Sequence, residues 1–196
     1  MCLKNYDSIH PPLAPHDVPA DINECTTSGV LTNEEVVIAS GQSGLSTLQS
    51  GASFGRSVVD LGDLDEDGVV DLAVGAMFDG VGGAVYILFM NDEDTVRAEV
   101  RIDSTHIALS SGDQFGFSVA TVGDLDGDGV VDLAVGARSD DDGGTSNGAV
   151  YIVFLNRNGS MKQYHKISSG PGGDLEGVIG SGSLFGHSVE IGRAHV

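Results

Sequence analysis

Eight aspartates in two matching loops carry the chemistry of this sequence. Asp63, Asp65, Asp67 and Asp71 fall at positions 1, 3, 5 and 9 of one segment. Asp124, Asp126, Asp128 and Asp132 fall at the same positions of a second, and Gly68 and Gly129 occupy position 6. Carboxylates at alternate positions converge only where a loop wraps around a centre, and glycine permits the sharp turn. Without a cation, four carboxylates so close repel strongly. An all-oxygen donor set suits a hard divalent ion, and the tolerant coordination of Ca²⁺ fits it better than the strict octahedron of Mg²⁺. The plain alternative is an Asp-Gly turn with incidental charge. Against it, all four acids recur in register in both copies. An EF-hand is excluded. It needs a bidentate Glu at position 12, where this chain has Val74 and Val135, and helices on either side, where the flanks read as strands.

The elements that must position these loops form a repeat. Phe54-Gly55 returns as Phe115-Gly116, 61 residues on, and again as Phe185-Gly186, after a further 70. Residues 54–77 and 115–138 align without gaps and agree at 18 of 24 positions. The extra length of the second interval divides into four residues between Ala137 and Ala149 and five between Ile167 and Phe185. Additions confined to loops are what a repeated scaffold tolerates. Each repeat reads as four short strands. The first repeat places them at 57–61, 71–76, 84–89 and 96–102, and the second at 118–122, 132–137, 149–155 and 162–167. Val36–Ser40 reads as the last strand of a preceding unit. Runs such as Ala149-Val-Tyr-Ile-Val-Phe154 are almost wholly apolar, the pattern of strands buried on both faces.

Composition bounds the partners. The net charge is −20, from 29 acidic and 9 basic residues. That balance argues against nucleic acid and against a polybasic membrane patch. No apolar run approaches the length of a transmembrane helix, and the N-terminus lacks a signal-type apolar stretch. Abundant Gly and absent Trp suit a turn-rich β protein, while Cys2 and Cys25 are too few for a disulfide framework.

Other motifs carry less. Gly51-Ala-Ser53-Phe-Gly55 has the spacing of a hydrolase nucleophile elbow, but the residue equivalent to Ser53 in the next repeat is Gln114 and no His or acid is placed as its partner. The six histidines lack metal-ligand spacing. Gly80-Val-Gly82-Gly83 precedes a strand rather than opening a helix, so it is a turn and not a dinucleotide loop. Asn158-Gly-Ser160 is a glycosylation acceptor in a secreted eukaryotic chain. The residues supply no convincing catalytic constellation, and a non-enzyme is expected.

The combination Phe-Gly, then Gly-Asp-Leu-Asp-x-Asp-Gly-Val-Val-Asp, then Ala-Val-Gly-Ala resembles the FG-GAP repeat over about residues 36–189. That repeat builds the N-terminal β-propeller of integrin α subunits and occurs in bacterial surface and secreted proteins. The Pro that often closes the Gly-Ala-Pro element is replaced by Met77 and Arg138. The resemblance implies two Ca²⁺ sites. Asp63, Asp65, Asp67, Asp71 and the carbonyl of Val69 would hold one. Asp124, Asp126, Asp128, Asp132 and the carbonyl of Val130 would hold the other.

The expected architecture is all-β, an incomplete fragment of a propeller whose blades have four antiparallel strands. Residues 1–34 are expected to be linker or disordered. Residues 35–53 would end a preceding blade, 54–114 and 115–184 would form the two repeats, and 185–189 would begin a third. Glu190 to Val196 can be encoded by a common sequencing-adapter string, and 190–196 is expected to be a non-native tail. The expected function is a calcium-binding, structural and adhesive scaffold of an extracellular or cell-surface protein, meeting a protein or glycan ligand. An accessory propeller of a secreted hydrolase and a passive repeat spacer are the alternatives.

Overall fold

The computed structural model describes residues 36–190. The expected linker 1–34, both cysteines and residues 191–196 of the expected tail lie outside the described residues. Eight strands form two sheets of identical design. The first sheet contains β1 (Phe54–Gly62), β2 (Asp71–Ala76), β3 (Ala84–Met90) and β4 (Val96–Ile102). The second contains β5 (Phe115–Gly123), β6 (Asp132–Ala137), β7 (Ala149–Leu155) and β8 (Met161–Ser168). Each is an antiparallel meander in sequence order. These are two blades of the β-propeller type.

Four strands have the bounds that the sequence predicts: β2, β4, β6 and β7. The inner strands β1 and β5 start three residues earlier, at the Phe-Gly pair. The backbone explains this for β5: Phe115 bridges Gly83 of the first blade in parallel, and its N–H donates to the Gly82 carbonyl at 2.7 Å. Phe185 repeats the arrangement against Gly148. Phe115-Gly116 and Phe185-Gly186 therefore each fasten one unit to the one before it. Irregular register near the end of β1 and of β5 turns the chain into the acidic loops.

The double-sided apolar strands are buried as their pattern requires. Ala73, Val85, Ile87 and Phe89 on one face of the first blade pack with Leu133, Val135, Tyr151, Val153 and Leu155 of the second. The other face of the first blade, with Val74, Tyr86 and Leu88, packs against Leu45, Ile38 and Leu48. Burial of this kind is worth about 25 cal/mol per Å² of apolar surface, so the interface between blades is the main source of their cohesion.

Val36–Ser40 is not a strand, contrary to the sequence reading. Gly41, Ser43 and Gly44 all take positive φ and fold the chain back on itself. What remains is a capping segment. Its Ser43 carbonyl accepts the Val96 N–H at 2.7 Å, and Glu99 accepts from Ser46. One such bond in place of a ladder does not define a strand.

The two insertions of the second repeat meet each other. Gly182 N–H donates to Thr145 at 2.9 Å and Leu184 N–H to Ser146 at 3.2 Å. Residues added at separate places in the sequence thus form one patch beside β7.

Candidate metal centres

The acidic loops join the inner strand of each blade to the second strand. In both, the first aspartate organises the turn. Asp63 accepts from the amides of Asp67 and Gly68 at 2.9 and 2.8 Å. Asp124 accepts from Gly127, Asp128 and Gly129 at 2.7 to 3.1 Å. The fifth-position aspartates fold back on their own chain, where Asp67 and Asp128 each accept a 2.9 Å bond from the amide of Val69 or Val130. Gly68 and Gly129 have φ of 94° and 81°. Position 4 is left-handed too, with φ of 65° at Glu66 and 79° at Gly127.

The ninth-position aspartates are buried and lock the loop to the sheet. Asp71 accepts from the amides of Leu64 and Met90 at 3.1 and 3.0 Å. Asp132 accepts from Leu125 and Leu155 at 2.9 and 3.2 Å. Burial raises both carboxyl pKa values, the two amides oppose it, and the neighbouring loop carboxylates add to the rise.

Convergence is real but differs between copies. Asp63, Asp65 and Asp71 bring oxygens within 4.8 Å of one another in the first loop, and Asp124, Asp126 and Asp128 do so in the second. Asp67 and Asp132 stand outside these groups. Asp67 pairs with a cation, and both Asp132 oxygens accept backbone amides, as both Asp71 oxygens do within the first group.

Those cations were not singled out in the sequence. Arg97 pairs with Asp65 and with Asp67. Lys162 reaches Asp126 at 2.6 Å and Asp128 at 2.9 Å. Each is the extra residue of the irregular step that opens the last strand of its blade, between Val96 and Ala98 and between Met161 and Gln163. A cation at that step in both copies was the available signal. The Lys162 ammonium, by hydrogen bonding, pulls the Asp128 carboxyl below its ordinary pKa. Arg157, from the β7–β8 turn, pairs with Glu66 of the other blade's loop.

The donor set fits a hard divalent ion on its own terms. It is all oxygen, it is crowded with like charge, and Asp65 Oδ1 is buried without a hydrogen-bond partner among the described residues.

A second polar device repeats at the other end of each blade. Tyr86 donates to Asp79 at 2.6 Å, and Arg101 pairs with both Asp79 and Asp103. Tyr151 donates to Asp140 at 3.0 Å, and Lys166 pairs with Asp140 and Asp142. These tie the β2–β3 and β6–β7 turns to the outer strands.

Comparison with known proteins agrees with this architecture. The FG-GAP repeat family matches residues 54–88 and 115–153. Integrin alpha-PS5 of Drosophila melanogaster is 44% identical over 94 residues, which is 46% of this chain and 9% of that protein. Human integrin alpha-IIb is 38% identical over 87 residues, 43% of this chain and 8% of that protein. Bovine phosphatidylinositol-glycan-specific phospholipase D is 38% identical over 116 residues, 54% of this chain and 14% of that protein. The matched region thus spans 8–14% of the length of these relatives. The two matched segments fall on β1–β3 and β5–β7 of two sheets of one design, so residues 54–88 and 115–153 are FG-GAP repeats, similar in sequence to segments of integrin α chains.

Proposed function

We propose that this chain is a calcium-binding propeller segment of an extracellular or cell-surface protein, serving as an adhesive scaffold rather than an enzyme. The observation that carries the reading is the pair of acidic loops in equivalent places, with one buried carboxylate oxygen left without a partner. Asp63, Asp65, Asp67, Asp71 and the Val69 carbonyl would hold one ion. Asp124, Asp126, Asp128, Asp132 and the Val130 carbonyl would hold the other. Calcium would neutralise the clustered charge and stiffen the loops at one end of the blades. The turns at the opposite end would be left to meet a protein or glycan ligand. Extracellular modules bind Ca²⁺ with Kd on the order of 10⁻⁴ to 10⁻³ M, which matches free calcium outside cells and supports that compartment. Similarity to integrin α chains supports the adhesive role.

A propeller accessory to a secreted hydrolase is the second reading, and similarity to the bovine phospholipase favours it. It requires a catalytic domain in the same polypeptide.

The test is thermal unfolding of the full chain in calcium and in chelator. Calcium is expected to raise the melting temperature, and Asp65→Ala with Asp126→Ala to abolish the rise. Identical melting of the parent protein under both conditions would overturn the proposal.

A further inference from the structure

Seven lysine and arginine side chains lie among the described residues. Five of them, Arg97, Arg101, Arg157, Lys162 and Lys166, pair with carboxylates. Arg56 and Arg138 meet no carboxylate among the described residues, and both converge on one aromatic ring. The guanidinium carbon of Arg56 lies 4.0 Å from the centre of the Phe117 ring, and that of Arg138 lies 4.1 Å from it. Two carbons within about 4 Å of one point are at most about 8 Å apart. The His187 ring sits 4.8 Å from the same ring.

The repeat creates this cluster. Arg56, Phe117 and His187 are each the residue after a Phe-Gly pair, so the joint between units brings them side by side. Arg138 enters from the end of β6, at the position where the family motif has Pro. Phe117 is buried, Arg138 half-buried, and Arg56 and His187 exposed. Arg138 is oriented by a neutral group, its Nε donating to Gln114 Oε1 at 2.7 Å. That bond uses one of its five N–H groups and leaves the Nη pair of the fork. The cluster stands at the opposite end of the strands from the acidic loops.

Cation–π contact with Phe117 contributes about 0.5–2 kcal/mol per guanidinium and leaves both charges unneutralised. Two uncompensated guanidinium groups against one buried ring, that of Arg138 oriented by Gln114, offer N–H forks of the kind that bind a planar anion in bidentate fashion. The overall charge of −20 selects among anions. It repels a highly sulfated chain at long range, and it admits a single carboxylate on an otherwise neutral or basic partner.

We propose that Arg56 and Arg138, with Phe117 as their platform and His187 as a further donor, form a docking site for an aspartate or glutamate side chain of a protein partner. The proposal rests on the adhesive reading for its biological role, and it is independent of the calcium sites.

The test titrates the full chain, labelled with ¹⁵N at arginine, with acetyl-Gly-Glu-Gly-amide, with the Gln counterpart of that peptide, and with sulfate. The Nε–H resonances of Arg56 and Arg138 are expected to shift saturably with the Glu peptide and not with the Gln peptide. Arg56→Gln and Arg138→Gln are each expected to weaken the titration at least about fivefold. Arg56 is exposed, so its variant is expected to melt with the parent and to separate loss of binding from loss of fold. Absence of a saturable shift, an equal response to the Gln peptide, or undiminished titration of Arg56→Gln would overturn the proposal. Tighter saturation of the same resonances by sulfate would overturn it in favour of a sulfated glycan. If the Glu peptide binds as expected while chelator leaves the melting unchanged, the carboxylate site stands and the calcium reading alone fails.

Discussion

A β-carbon on Gly75 in β2 would come within 2.0 Å of the Gly116 carbonyl oxygen in β5. The two blades therefore touch backbone to backbone, with room for a hydrogen atom only. Gly136 stands in the same relation to Gly186, at 1.9 Å. Gly75→Ala is expected to destabilise the chain by about 2–4 kcal/mol, since the obstacle is backbone that cannot rotate away. Gly75 does not take a positive φ, so the cost is steric. Chemical denaturation checks it, and a change below about 0.5 kcal/mol would show that the blades slide apart freely.

The second prediction concerns the cations beside the acidic loops. Lys162 holds oxygens of Asp126 and Asp128 that the calcium reading assigns to the ion. Replacing it by glutamine is expected to tighten Ca²⁺ binding at the second loop by roughly threefold, because a like charge leaves the site. Arg97→Gln is expected to act in the same way at the first loop. Isothermal titration measures both. Weaker binding in these variants would mean that the cations hold the carboxylates in place for the metal.

Asp113 supplies a pH dependence with a definite sign. It is buried in the connection between the blades, where the first repeat carries Ala52. Burial raises its carboxyl from 3.8 to about 6, the Ser110 amide opposes this, and Asp140 adds to it. The folded protein therefore holds the proton more tightly than the unfolded chain does. The contribution to stability is complete below about 3.8, falls as pH rises to about 6, and is flat above. Relative to the parent, Asp113→Asn is expected to gain melting temperature across that interval and then to keep the gain. A difference independent of pH would rule out Asp113 as the source.

Glu66 holds a left-handed conformation at the place where the second loop has Gly127. A non-glycine residue there costs about 1 kcal/mol, and the exposed pair with Arg157 returns about 0–1 kcal/mol. Glu66→Gly is expected to be neutral or stabilising by about 0.5 kcal/mol. Marked destabilisation would show that the Arg157 contact between the blades is worth more than an exposed ion pair.

Much of this was legible in the chain itself. The repeated Asp-x-Asp-x-Asp-Gly segments gave the loops, and the apolar runs gave strands buried on both sides, because the period and the residue types act locally. What escaped depended on contacts between units. Val36–Ser40 has strand composition, but no strand pairs with it among the described residues, and the chain turns back at Gly41. Arg97, Lys162 and Arg157 look like ordinary surface cations until the meander brings the last strand and its turn to the loop. Arg56 and Phe117 bear no likeness as residue types. Only their common place after Phe-Gly, and the folding that sets those places side by side, makes them neighbours.

The glycine contacts bear on how such chains change in length. Each unit carries a Phe-Gly plug at its head and, in β2 or β6, the glycine socket that receives the plug of the next. A gene segment duplicated in register delivers both halves of a working joint at once. Repeat number can then grow by single genetic events, with each new copy already fitted to its neighbours on both sides.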